Sequence, residues 1–191
     1  VTNGHANVAI GQSAGDVLIG GSGNTFIGQH AGGATTAVSY TVCIGPNAGD
    51  AVMTTDANGT IAIGYQALTA LTEGVGNVGV GQEALRDCVT GDNNTAVGHQ
   101  ALANVEGDGH RNNTGVGFNA GVSITTGLYN TVVGKNALVT DNEGDGTTAM
   151  GNNAVALQNI GDETSGITAI GYAAGYNNIT GTNNTWVGHN A

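Results

Sequence analysis

The chain has 191 residues, 35 of them glycine, and carries a net charge of −11 with only three lysine and arginine residues. Three scattered cations cannot neutralise a phosphate backbone, so the composition excludes nucleic-acid binding and disfavours anionic membrane surfaces. No run is long and apolar enough for membrane insertion, and regularly placed Val, Ile and Thr argue against disorder. Cys43 and Cys88 occupy different positions of the pattern described next, which argues against a disulfide.

One phrase, Asn-Thr-x-Val-Gly-x-x-Ala, recurs eleven times from Asn7 to Ala191 and predicts a repeat architecture. We interpret residues 1–191 as a single repeat array and, because the terminal copies lack capping sequence, as a fragment of a longer fibre. In chain order the motif glycines are Gly11, Gly28, Gly45, Gly64, Gly81, Gly98, Gly117, Gly134, Gly151, Gly171 and Gly188. The motif alanines are Ala14, Ala31, Ala48, Ala67, Ala84, Ala101, Ala120, Ala137, Ala154, Ala174 and Ala191.

Each copy predicts one short strand. The residue three before the glycine is Val, Thr or Ile, and the residue just before it is Ile, Val or Met. Their alternation predicts that these two positions share the buried face of a strand, with the threonines pointing inward. The position between them is mostly small, so its face should lie against another backbone. The uniform alanine indicates a buried corner with room for one methyl group, and the asparagines that open the motif are expected to stack as side-chain ladders.

The spacing of the motif glycines adds a longer period. Successive separations are 17, 17, 19, 17, 17, 19, 17, 17, 20 and 17 residues, so every third connection is longer. Triplets of repeats cover approximately residues 7–59, 60–112 and 113–166, with 167–191 incomplete.

Two all-β architectures of eleven 17–20-residue repeats fit this spacing. In a β-solenoid or β-roll with one repeat per coil, the longer gap is an outward loop on every third coil. In the other, three repeats form one layer, which gives a pseudo-threefold single chain. The spacing alone favours the second.

The copies NTAVGHQAL, from Asn94 to Leu102, and TIAIGYQAL, from Thr60 to Leu68, resemble repeats of bacteriophage tail fibres and receptor-binding fibres. The phrase is also similar to the head repeats of trimeric autotransporter adhesins. The resemblance covers the whole chain and implies an extracellular fibrous β-repeat, in a virion tail fibre or a cell-surface appendage. It also implies a homotrimer, whereas the 17/17/19 spacing leaves a single-chain pseudo-trimer as the other possibility.

The acidic, glycine-rich stretch after the eighth copy has the composition of a calcium loop, which makes Asp141, Glu143 and Asp145 candidate calcium ligands. Connecting turns share that composition, and the full EF-hand spacing is missing. Residues 106–109 are a weaker candidate of the same kind. No other cofactor is predicted.

Exposed aromatic residues on a polar fibre can bind sugars, and Tyr65, Phe118 and Tyr172 are the candidates, although the same side chains could cap the edges of the repeats. No catalytic residues can be singled out, so an enzyme is not predicted.

The leading hypothesis is therefore a structural shaft of an extracellular fibre that self-associates and supports attachment to a host. The alternative is an adhesin-type repeat surface that binds host-surface glycans. An ice-binding surface is less favoured, because it would need the threonines to point outward.

Overall fold

The computed structural model describes residues 4–106, 109–161 and 164–191. Within them, eleven three-residue strands form one parallel sheet, β6 and β8 form a small second sheet, and one 3-10 helix spans Thr55–Ala57. The strands are β1 (Val8–Ile10), β2 (Thr25–Ile27), β3 (Val42–Ile44), β4 (Ile61–Ile63), β5 (Val78–Val80), β6 (Gly91–Asp92), β7 (Thr95–Val97), β8 (Gly109–His110), β9 (Thr114–Val116), β10 (Thr131–Val133), β11 (Thr148–Met150), β12 (Thr168–Ile170) and β13 (Thr185–Val187).

Each repeat is one coil of a β-solenoid. The strand of one repeat pairs in parallel with the strand of the next, so that Ala9 lies opposite Phe26 and Phe26 lies opposite Cys43. The all-β solenoid prediction is confirmed. A layer of three repeats would instead pair every third strand, so the pseudo-threefold single chain that the spacing favoured is wrong.

The longer connections do not disturb this register. Cys43 still lies opposite Ala62 across the first of them, which contains the 3-10 helix at Thr55–Ala57. Ala96 lies opposite Gly115 across the second. The extra residues are therefore absorbed at the corner before the strand, and spacing alone could not distinguish such a local loop from a step between layers.

The motif glycines allow the coils to stack. All eleven have φ between +127° and +144°, a backbone conformation that is essentially restricted to glycine. A Cβ atom on Gly28 would also lie 2.7 Å from the carbonyl carbon of Gly45 in the next coil, and Gly45 stands in the same relation to Gly64. Both the dihedral angle and the contact require glycine at this position.

The strand positions that face the interior of the coil are mostly small, whereas larger apolar side chains such as Leu68, Leu85 and Leu102 are buried in the turn that follows the strand. The middle residue of each strand points inward, and Cys43, Ala62 and Ala96 are fully buried. The motif alanines from Ala31 to Ala174 are also fully buried, which confirms the predicted corner.

The two faces of the strand are therefore the reverse of the prediction. The residues three before and one before the glycine point outward, and Ile10, Val97 and Met150 are 59%, 38% and 40% exposed. The alternation of residue types defines two faces but does not say which is inside. Larger side chains of the following turn, such as Leu68 and Leu102, occupy the space in front of the strand, so the inward strand position is mostly small and the β-branched strand residues mostly lie outside.

Bulk in the core is matched between positions. Where the middle strand residue is Phe26, the residue after the motif alanine is glycine, at Gly15 and Gly32. Where that residue is Leu102, the facing strand position is Gly115. Large and small side chains thus alternate so that the narrow interior stays close-packed.

We predict that Gly32→Ala destabilises the chain more than Gly146→Ala. Both glycines have positive φ, at +58° and +69°, so alanine is strained at either by about 1–2 kcal/mol. A Cβ on Gly32 would lie 2.8 Å from the ring of Phe26, whereas one on Gly146 meets nothing within 4 Å. Overpacking should add about 1–3 kcal/mol at Gly32, measurable by urea denaturation. Equal losses would show that the ring moves aside freely.

Candidate functional site

A buried ladder of asparagines runs along the solenoid. Asn94 N–H donates to Asn77 Oδ1 at 3.0 Å, Asn113 N–H to Asn94 Oδ1 at 3.1 Å, and Asn130 N–H to Asn113 Oδ1 at 2.9 Å. Thr147 N–H continues the series from Asn130 Oδ1 at 2.8 Å. The predicted ladder is therefore confirmed, and it is unbroken over five coils.

Asn77, Asn113 and Asn130 each bond to the following coil through both the oxygen and the nitrogen of the side-chain amide. Asn113 Oδ1 accepts from Asn130 N–H, while Asn113 Nδ2 donates to Gly127 O of the same following coil at 2.8 Å. Where threonine replaces asparagine, these side-chain bonds to the following coil are absent, because Thr60 Oγ1 instead donates to Ala57 O in the connection that precedes it. Asparagine is thus the residue that couples consecutive coils at this position.

A second set of side-chain hydrogen bonds between consecutive coils lies two residues earlier in the repeat. Asp92 Oδ1 accepts from Val75 N–H at 2.8 Å, and Asp145 Oδ1 accepts from Leu128 N–H at 2.7 Å. Asn58 Oδ1 does the same for Ser39 N–H at 2.6 Å. These polar side chains replace missing strand pairing at the corner where the connections vary in length.

The candidate calcium ligands do not converge. Asp141 is 1% exposed and accepts from Gly144 N–H and Gln158 Nε2, whereas Asp145 is bonded to Leu128 in the preceding coil. Glu143 is only half-buried. Across residues 4–106, 109–161 and 164–191 there is no group of three His, Cys, Asp or Glu side chains placed to hold a metal. In the weaker candidate, residues 107 and 108 lie outside the described residues.

Asp141 and Gln158 form a polar pair in an otherwise largely apolar row of the core. Gln158 Nε2 donates to Asp141 Oδ2 at 3.0 Å and also contacts Thr147 and Ser165, while Gln158 Oε1 is buried without a partner. Burial raises the pKa of Asp141, although the hydrogen bond from Gly144 N–H opposes that shift. The carboxylate is therefore held in surroundings that favour its neutral form.

The two cysteines are free, buried thiols, in agreement with the prediction against a disulfide. Burial raises the pKa of both Cys43 and Cys88 to about 12. The thiolate is the nucleophilic form, so neither residue is reactive in the folded chain.

The glycan candidates lie in one column at the corner after the glycine. Tyr65, Phe118 and Tyr172 are each half exposed and are separated by three coils. Phe118 stacks on His99 with ring centroids 5.2 Å apart, and Tyr172 stacks on His189 at 4.9 Å.

These rings stack along the solenoid axis, because their partners belong to neighbouring coils. Lys135 Nζ lies 5.9 Å from the Phe118 centroid, on the coil opposite to His99. The rings therefore already pack against residues of this chain, as edge-capping residues would. Glycan binding by this column stays a prediction.

The solvent-facing side of the eleven-stranded sheet forms a continuous surface along the solenoid, here called the outer face. It consists of two rows, the residues three before and one before each motif glycine. All positions of both rows are Val, Ile, Thr or Met, so the face carries no charge. The sequence contained a signal for this placement, because the strand residue between the two rows is smaller than its neighbours in most repeats.

Comparison with known proteins finds no family model, no curated protein and no solved structure that matches the chain. In the described part of the chain, no helix has the length and apolar character needed to cross a membrane. The function is therefore argued from the repeats and their geometry.

We predict that Asn113→Ala lowers the free energy of unfolding by about 2–4 kcal/mol, because it leaves Asn130 N–H and Gly127 O buried without partners. Chemical denaturation measures this loss. Asn113→Thr is the matched comparison, since threonine opens the motif at Thr41 and Thr60. A loss for alanine below about 0.5 kcal/mol would mean that the ladder contributes little.

We predict that Asp141→Asn stabilises the chain at neutral pH and has little effect at low pH. Because the folded pKa of Asp141 is raised, its contribution to stability is fully present below its ordinary value of 3.8 and is lost as the pH rises. Asparagine stays neutral throughout and can pair with Gln158 once that amide rotates. Thermal unfolding at pH 7 and pH 3 measures the difference, with the exposed Asp56→Asn as control. A shift of equal size at both pH values would rule out ionisation as its cause.

Proposed function

We propose that this chain is a structural shaft of an extracellular fibre that supports attachment to a host, such as a phage tail fibre or a surface appendage. The observation that carries the proposal is the unbroken register of eleven coils, in which every strand pairs only with its neighbours along one axis. At about 4.8 Å per coil, the array is a rod roughly 48 Å long. The resemblance of its repeats to those of fibre proteins supports the same function.

A rod of this kind resists bending because four sets of hydrogen bonds run along its axis. The sheet provides one, and backbone bonds at the turn after the motif glycine provide another, for example from His30 N–H to Gln12 O at 2.9 Å. The third set is the asparagine ladder, as at Asn113, and the fourth is the set of side-chain bonds two residues earlier, as at Asp145. Bending would have to stretch several of these bonds at once. Such a shaft transmits position mechanically and needs no catalytic site.

Self-association is the second part of the proposal. In coils one, three, four and five both rows of the outer face are aliphatic, as at Ile61 and Ile63. Monomeric soluble proteins rarely expose a large contiguous apolar patch, so further copies of the chain would cover this half of the face. Three copies around a common axis would give the homotrimer that the resemblance implies.

Small-angle scattering and sedimentation test both parts. We expect a rod whose length matches the stacked coils, a mass above that of one chain, and slow digestion by a broad-specificity protease. Ile61→Asp should release single chains, because it buries a charge in the contact, whereas Thr126→Asp on an exposed corner should not. A compact particle would overturn the shaft. A single-chain mass for the unmodified protein would overturn self-association alone.

A further inference from the structure

From its sixth to its eleventh coil the outer face changes character, because every residue of its first row is threonine. The row consists of Thr95, Thr114, Thr131, Thr148, Thr168 and Thr185. Each of these residues lies directly opposite the next in the parallel register, with no interruption at the two longer connections in this stretch. The second row, one residue before each glycine, contains Val97, Val116, Val133, Met150, Ile170 and Val187.

These threonines are directed at solvent. Thr131 and Thr185 are exposed and the other four are half-buried, as expected for side chains that stand side by side on an uncovered sheet. Among the described residues, none of the six hydroxyl groups makes a hydrogen bond to another protein group. Each therefore offers both a hydroxyl and a methyl group to water.

The spacing of the rows is fixed by the backbone. Threonines in neighbouring coils are about 4.8 Å apart, and the two rows are about 6.6 Å apart along the strand. Between them the strand residue points inward, as Val132 does, so that only backbone lies at the surface. The result is a shallow trough between two straight, uncharged rows.

We propose that this half of the outer face, in coils six to eleven, binds ice. A crystal surface presents water molecules at regular intervals in two directions, and the threonine coils present their side chains at regular intervals along the axis and along the strand. Methyl groups order water without competing for its hydrogen bonds, and each threonine hydroxyl can donate to and accept from a lattice water. The row was expected to point inward and therefore to oppose ice binding, and its outward direction removes that objection.

Alternative occupants fit this half less well. A second copy of the chain would have to supply a partner for each of six hydroxyl groups that have none in the described part, since each hydroxyl buried without a partner is unfavourable by about 1–3 kcal/mol. The aliphatic coils carry no such penalty. A glycan would find no exposed aromatic side chain and no charge in either row.

Inhibition of ice recrystallisation and thermal hysteresis test the inference on the whole chain. We expect activity from the unmodified protein and its loss in Thr131→Tyr combined with Thr148→Tyr, because two bulky side chains break the flat rows. Tyrosine is favoured in strands, so folding should be kept, and circular dichroism checks this. Thr126→Tyr, on an exposed corner away from the face, should keep full activity.

A gain of activity provides the second arm. Replacing Val42, Ile61 and Val78 by threonine would extend the row through coils three to five and should strengthen inhibition, since more sites would meet the lattice at once. The inference is overturned by an inactive unmodified protein, by equal loss in the corner variant, or by a solution assembly that buries Thr131. None of these outcomes alters the length of the rod measured by scattering. They can therefore be told apart from a result that overturns the proposed shaft function.

Discussion

The close approach of consecutive coils at the motif glycine is the constraint on which the rest of the structure depends. The backbone at Gly28 passes so near the carbonyl group of Gly45 that no Cβ atom fits between them. The positive φ of these glycines turns the chain at the end of every strand. Since the same contact recurs between every pair of consecutive coils, the register of the sheet is set ten times over, and connections of different length do not shift it.

A narrow interior follows from this repeated turn. The inward strand positions are mostly small, and where one is large the neighbouring positions carry no side chain, as Gly15 and Gly32 show beside Phe26. The polar groups that enter the core are paired along the axis, most clearly in the asparagine ladder. Asp141 and Gln158 are the exception, because their pairing leaves one buried oxygen atom unsatisfied.

Of the features that follow from this stacking, the outer face of the sheet matters most for the proposed function. The two strand positions on either side of the inward residue lie on the surface and carry β-branched residues in nearly every coil, and the in-register stack lines them up as straight rows. The aliphatic coils carry the proposed contact with further copies of the chain, and the threonine coils carry the proposed contact with ice. A rod with two such surfaces can be both a mechanical element and a binding element.

The sequence by itself determined the repeat, the strand, the glycine and alanine positions, and the asparagine ladder, because each depends on contacts that recur at a fixed interval along the chain. Only the tertiary structure decided that one repeat makes one coil and that Thr131 points outward. The alternation of residue types along a strand defines two faces but does not tell which of them is buried. A connection that is two residues longer than the others, such as the one before Ile61, is compatible with a local loop and with a step between layers. Burial of the middle strand residue, such as Val132, shows which face is inside, and hydrogen bonding between consecutive strands shows that each repeat is one coil.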